Sequence, residues 1–424
     1  MKNFFTLTLL TGILFFSVSC GDEPDIIPID ETGENVVISG LISSNITWTS
    51  DKLYELAGRV IVENGVTLTI EAGTIIKGRE GTGSLASALI IARGAKIMAE
   101  GTADKPIIFT SILDNIDLGQ KMGTNLTAKD NERWGGLILL GAAPISAKVG
   151  DAESAIEGIP ADENFGLYGG TNPADNSGIL KYVSIRHGGS LIGDGNEING
   201  LTLGGVGSGT TIDNVEVFGT LDDGFEFFGG TVNASNLMVY WQGDDGIDID
   251  QNYSGTITNF IVSHGDGVGT DEGLEIDGPE NTLKDGKFTL KNGTIISDGI
   301  AGSAADIKSD AQGTLENIVF AGYSGAKLKF EAEYAAGDCS DHEVKSYNDA
   351  VQKLLDGDFV ITKTNYGSIS VYSKTDSDKN PLCANVPAID QDAAAAKAAP
   401  DLTATGADAG VFNWTAAKLS GASF

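Results

Sequence analysis

The stretch GDDGIDID, residues 243–250, carries four aspartates in eight positions. Asp244 and Asp245 fall in a Gly-flanked turn, while Asp248 and Asp250 alternate with Ile247 and Ile249. Along a strand, successive side chains take opposite faces, so the isoleucines enter a core and the aspartates face out. The pattern returns with Glu272, Glu275 and Asp277 around Leu274 and Ile276. Carboxylates gathered in this way suit three chemistries. A pair can donate and accept protons across a bond being broken. A set can supply oxygens to a hard cation such as Ca2+, which takes about 6–8 of them. Or the row is a solvated face with no chemistry at all.

A repeat must position these residues. TTIDNVEVFGTLDDGFEFFGGTV aligns with NASNLMVYWQGDDGIDIDQNYSG and with TITNFIVSHGDGVGTDEGLEIDG. Two further copies follow, LKNGTIISDGIAGSAADIKSDAQG and TLENIVFAGYSGAKLKFEAE. Asn214, Asn236, Asn259, Asn292 and Asn317 recur in them at steps of 22, 23, 33 and 25 residues. A unit of short strands and glycine corners cannot bury its own apolar face, but stacked units bury a continuous core. The expected fold is therefore all-β, a right-handed parallel β-helix solenoid, with the recurring asparagines stacked from rung to rung.

Parallel rungs lie about 4.8 Å apart. Two bare carboxylates at that spacing repel by roughly 3 kcal/mol at an effective dielectric near 20. Protonation, lysines or a bridging cation must relieve this. Asp245, Asp248, Asp250, Glu272, Glu275 and Asp277 are the expected cation ladder, with Ca2+ as the ion. Lys308 and Lys329 are expected to follow Glu275 in the outward row and temper it. No EF-hand loop or nonapeptide calcium repeat is present in the spacing.

The chain has 424 residues and a formal net charge of −32, from 59 acidic and 27 basic side chains. That charge argues against phosphate-neutralising contact with nucleic acid. The N-terminus joins Lys2 to an apolar run, Phe4–Val18, too short to span a membrane. SVSC then resembles a bacterial lipobox, which implies a signal peptide at 1–19 and lipid on Cys20. The following CGDE resembles the acidic export signal of Bacteroidetes surface lipoproteins. Residues 20–35 read as an acidic tether. Cys339 and Cys383 remain, and an oxidising compartment makes a disulfide between them the expectation.

GVTLTIEAGTIIKG, GAKIMAEGTADKPIIFTS and RWGGLILLGAAPI resemble the opening rungs of right-handed β-helix surface lipoproteins of Bacteroidetes. LKYVSIRHGG and LDDGFEFFGG are similar to middle rungs of that group. The resemblance implies a fold and an outer-membrane, surface-exposed, lipid-anchored location, without assigned catalytic residues. The β-helix is expected over 36–331. Residues 332–424 break the repeat and read as a mixed α/β C-terminal cap, with a short amphipathic helix in SYNDAVQKLLDG ended by Gly357.

GDDGIDID also resembles the double-aspartate strand of polygalacturonases, a family in which paired carboxylates activate water and protonate the leaving oxygen. That resemblance would make Asp244 and Asp245 catalytic, with His264 and Lys308 nearby in rung order. The remaining motifs of that family depart: no Asn-Thr-Asp rung precedes it, SHGDG replaces Gly-His-Gly, and ADIKSD lacks the Arg-x-Lys clamp. His187, His264 and His342 are too scattered for a zinc set. Phe227, Phe228, Tyr240 and Trp241 form either a sugar platform or a plug of the interior. The sequence thus favours a non-catalytic scaffold that binds glycan or a neighbouring envelope protein. A polysaccharide-active enzyme, pectate-lyase-like or polygalacturonase-like, is the alternative.

Overall fold

The structure is a computed structural model. It describes residues 35–424 apart from 158, 160–163, 194–195, 265–270, 298–303, 324–326, 336–337 and 341–348. The expected signal segment, Cys20 and the expected tether as far as residue 34 lie outside the described residues, and Asn35 already begins a strand.

Strand after strand pairs in parallel with its counterpart one rung on, and 23 strands form one sheet wound into a parallel β-helix. A typical rung starts with a short strand such as Phe225–Phe228. A longer strand follows, such as Asn233–Tyr240, and an acidic turn leads to the next short strand. The long strands bend at the recurring asparagines. Asn214, Asn236, Asn259, Asn292 and Asn317 all have φ between 55° and 58°. That left-handed region is costly for most side chains and is one that Asn tolerates.

The stacking of these amides is partial. Asn259 Nδ2 donates to Asn236 Oδ1 at 2.7 Å, and Asn317 Nδ2 donates to Asn292 Oδ1 at 2.8 Å. Asn236 Nδ2 donates instead to Asp213 Oδ1.

The interior is filled by inward rows. Phe225, Ile247, Leu274, Ala305 and Leu328 stack in one, and Phe227, Ile249, Ile276, Ile307 and Phe330 in the next. All ten are buried in one cluster. Period-two alternation in the sequence is the cause: each inward residue has an outward acid, lysine or aromatic beside it.

The parallel ladder runs past residue 331. The strand Lys327–Ala332 pairs with Ser368–Ser373, and Gly313–Ala321 pairs with Phe359–Thr362. Helix α1 (Ala350–Asp356) is N-capped by Asp349 and stopped by Gly357 at φ 83°. Helix α2 (Ala388–Lys397) packs against the last strand. A disulfide joins Cys339 to Cys383, 44 residues apart; in the chain-entropy model such a loop contributes about 4 kcal/mol. From Asp401 the chain does not stay at the end. It turns back along the side of the solenoid as a strap, through a short helix α3 (Ala416–Leu419).

Candidate functional site

The short strands Leu201–Gly204, Phe225–Phe228, Ile247–Asp250, Leu274–Ile276, Ala305–Ile307 and Lys327–Ala332 lie side by side. Their outward positions form the row Thr202, Glu226, Asp248, Glu275, Asp306 and Lys329. Asp306, not Lys308, follows Glu275. The inward residue opposite Leu274 is the small Ala305, and reading Ile307 there slips the strand by two residues. A two-residue slip keeps every side chain on its own face, so alternation alone does not detect it.

The turns before these strands carry a second set. Asp223 Oδ1 accepts the N–H of Asp245 at 2.9 Å, and Asp245 Oδ1 accepts the N–H of Glu272 at 2.6 Å. Each of these acids therefore caps the backbone of the next rung. The glycine that follows is required: a Cβ on Gly246 would sit 2.4 Å from Val262 Cγ1 and 2.6 Å from the Gly273 oxygen.

Turns and strands together build an acidic groove. Three groups of carboxylates hold oxygens within 4.8 Å of one another: Asp222, Asp223 and Asp244; Asp223, Glu226 and Asp248; Asp245, Glu272 and Glu275. Loops outside the repeat close over it. Glu157 hydrogen-bonds Glu226, and Asn199, 1% exposed, donates to Glu226 and to Thr202 Oγ1.

Burial, then the charges of Glu157 and Asp248, pushes Glu226 well above the usual carboxylate range. Burial with Asp223 and Glu275 does the same to Asp248, and burial with Glu275 and Asp248 to Asp245. Asp250 is raised by burial and by Asp277. Asp222 is pushed up to about 7 by burial, Glu157 and Asp244. Asp248 Oδ1, Asp306 Oδ1 and Asn199 Oδ1 are enclosed without a hydrogen-bond partner, an arrangement that costs free energy unless something else meets them.

Countercharge sits toward one end. Lys308 pairs with Glu275, and Lys329 with Glu272 at 2.7 Å and Asp306 at 3.2 Å. Burial alone would lower the Lys308 ammonium, but Glu275 outweighs it and holds it above the ordinary lysine value. The same balance, through Glu272 and Asp306, raises Lys329.

The expected cation ladder is thus regrouped. Asp245, Glu272 and Glu275 converge, while Asp248 converges with Asp223 and Glu226. Asp250 caps its neighbour Gln251, and Asp277 accepts from Ser309; among the described residues neither falls in a three-acid group. The rung register sets this regrouping, because turn acids and strand acids interleave.

Three of the four alternative catalytic residues are engaged elsewhere. Asp245 caps Glu272, Lys308 holds Glu275, and the His264 ring nitrogens face Gln242 (3.2 Å) and the Tyr323 hydroxyl (2.8 Å). Asp244 is exposed at the rim. The aromatics are no open platform. Phe227 packs on Tyr253 in the core, Phe228 on Tyr168, Tyr240 on Phe218, and Trp241 lies beneath Lys129.

Asp223, Glu226 and Asp306 belong to the groove and carried a signal, their place in the repeat. Glu157 and Asn199 stand outside the repeat and carried none.

No curated protein and no solved structure matches the chain. The model of a pectate-lyase-like β-helix domain matches residues 40–418. With nearly the whole described solenoid inside that match, the chain belongs to the pectate-lyase-like β-helix family.

Proposed function

We propose that the acidic groove is a divalent-cation site, with Ca2+ the best chemical fit, through which the protein holds an acidic glycan without cleaving it. One observation carries this reading. Three clusters of three carboxylates on adjoining rungs each bring their oxygens within 4.8 Å of one another, while enclosed oxygens of Asp248 and Asn199 lack partners. Carboxylate and carboxamide oxygens in a flexible cluster are the donors Ca2+ takes. Asp245, Glu272, Glu275, Asp223, Glu226 and Asp248 would hold such a cation, which would supply positive charge to the carboxylates of a polyuronate. A lyase would need a base titrating near the working pH, whereas Lys308 and Lys329 are kept charged by their acidic partners.

The test presents immobilised polyuronate and a neutral glucan to the full chain, in Ca2+ and in chelator, while monitoring chain length. Binding to polyuronate in Ca2+ alone, with chain length unchanged, is the expected result. Asp248→Asn with Glu275→Gln removes it. Equal binding in chelator overturns the cation bridge, and cleavage overturns the non-catalytic reading.

The proposal includes the anchor. SVSCGDE after an apolar run supports export, lipid on Cys20 and display at the outer-membrane surface. Cys20→Ala is expected to leave unprocessed or soluble protein. Mass spectrometry of a mature N-terminus away from Cys20, unlipidated, would remove this part.

A further inference from the structure

Residues 401–424 lie across the rungs rather than within one, and they are held through their backbone. Thr405 N–H donates to Asn317 Oδ1 at 2.8 Å, and Asn317 Nδ2 donates back to the Gly406 oxygen at 3.4 Å. Ala407 N–H donates to Thr294 Oγ1 at 2.9 Å. Asp408 N–H donates to Asn259 Oδ1 at 2.7 Å, and Asn259 Nδ2 reaches the Asp408 oxygen at 3.5 Å. Two asparagines thus each grip an N–H and a C=O of one short segment, 405–408.

The spacing fits. Asn317 and Asn259 lie two rungs apart, about 9.6 Å at the parallel spacing, and the strap crosses that distance between Thr405 and Asp408. Farther on, Glu216 accepts the N–H groups of Ala416 and Ala417, both at 2.8 Å. Trp414 meets Tyr182 edge-on at 5.4 Å, and Phe412 joins Phe218, Met238 and Ile261 in an apolar cluster.

A cleft runs beside these hydrogen bonds. A cleft of about 550 Å3 is lined by Asn236, Asn259, Asn292 and Asn317 on one side and by Thr405–Asp408 and Val411 on the other. Over Thr405–Asp408 the strap is held by asparagine and threonine side chains and joins no strand ladder.

We propose that this side face is a peptide-binding groove that reads backbone, and that residues 401–424 are its resident, separable ligand. The groove takes a segment with a left-handed glycine over Thr294, followed by aromatic anchors in the places of Phe412 and Trp414. The glycine is specified twice. Gly406 has φ +68°, and a Cβ there would approach Thr294 Oγ1 to 2.3 Å.

A protease site inserted at 398–400, where the connection is largely exposed, allows the strap to be cut after the full chain has folded. The cut strap should co-elute with the solenoid and exchange with a labelled synthetic peptide of residues 401–424. A peptide carrying Gly406→Ala should bind at least about tenfold more weakly, a difference near 1.4 kcal/mol. Asn317→Gly, which keeps the left-handed backbone and removes the amide, should speed strap loss by a similar factor. In the uncut protein, amide exchange at Thr405 and Asp408 should occur without opening of the core strands. Immediate loss of the cut strap from a folded solenoid would show that only the covalent tether holds it. Release only together with global unfolding would make it part of the core. Either result overturns the proposal.

Discussion

Chelation at about pH 8 should lower the melting temperature by several degrees, restored by millimolar Ca2+, and the gap should narrow toward about pH 5. The acids of the groove set the sign. Asp222 titrates near 7 in the folded chain, against 3.8 for the ordinary group, because burial, Glu157 and Asp244 disfavour its charge. Between those values the native state holds more protons than the unfolded state, so stability falls as pH rises. The contribution is whole below about 4 and is lost as pH passes through about 7. Burial and neighbouring carboxylates move Glu226, Asp245, Asp248 and Asp250 in the same direction, and they add to that loss.

A cation bound only to the native state offsets that loss, by about 2.7 kcal/mol at a hundredfold excess over its Kd. Protons do the same work at low pH, so cation and acid should be mutually redundant. Asp248→Asn with Glu275→Gln should flatten both responses. Identical melting in chelator and in Ca2+ across this range, with no bound metal by elemental analysis, would leave a groove governed by protons and lysines alone.

Arg186→Met should cost about 3–5 kcal/mol, the scale for removing one partner of a buried charge pair. Arg186 is among the most deeply buried side chains, at 2% exposure. Its Nε donates to Ser184 Oγ at 2.7 Å, and the Ser184 hydroxyl donates to Glu216 Oε2 at 2.6 Å. Burial draws the guanidinium below its ordinary value, while Glu216 and Asp114 push it back up. Without Arg186, Glu216 is a buried carboxylate left to one hydroxyl and two strap amides. Adding Glu216→Gln to Arg186→Met should therefore recover part of the loss, whereas Glu216→Gln alone should destabilise. A double-mutant cycle read by denaturant unfolding decides it. Strictly additive losses would mean that the two charges do not sense each other.

The rung architecture was legible because each device repeats. The positive-φ asparagine, the inward Ile or Leu pair and the Asp-Gly turn recur at steps the eye can align. Legibility failed wherever the repeat lost its mark. Ala305 stands where other rungs have a large apolar residue, so the strand read as starting at Ile307 and Asp306 dropped out of the acidic row. Glu157 and Asn199 reach the groove from loops whose length and sequence occur once. The strap is a further case. Its bonds to Asn317, Asn259 and Glu216 span 88, 149 and 200 residues, and contacts of that kind leave no periodicity. The cap was visible as broken repeat, but two more parallel strands within it, Phe359–Thr362 and Ser368–Ser373, were hidden by the long interval between them and the last regular rung.

The final strand, Ser368–Ser373, would offer the same hydrogen-bonding edge as every strand beneath it. Helix α2 interrupts that offer at one point: Gln391 Oε1 accepts the Val371 N–H at 2.9 Å, and Gln391 Nε2 donates to the Val371 oxygen at 2.6 Å. A single carboxamide thus imitates the peptide group of a strand that never arrives. In a molecule whose every layer templates the next, this amide acts as a chain terminator. Without it, the Val371 N–H and C=O would lie beneath helix α2 without that partner, at the kind of strand edge that proteins otherwise cover or break.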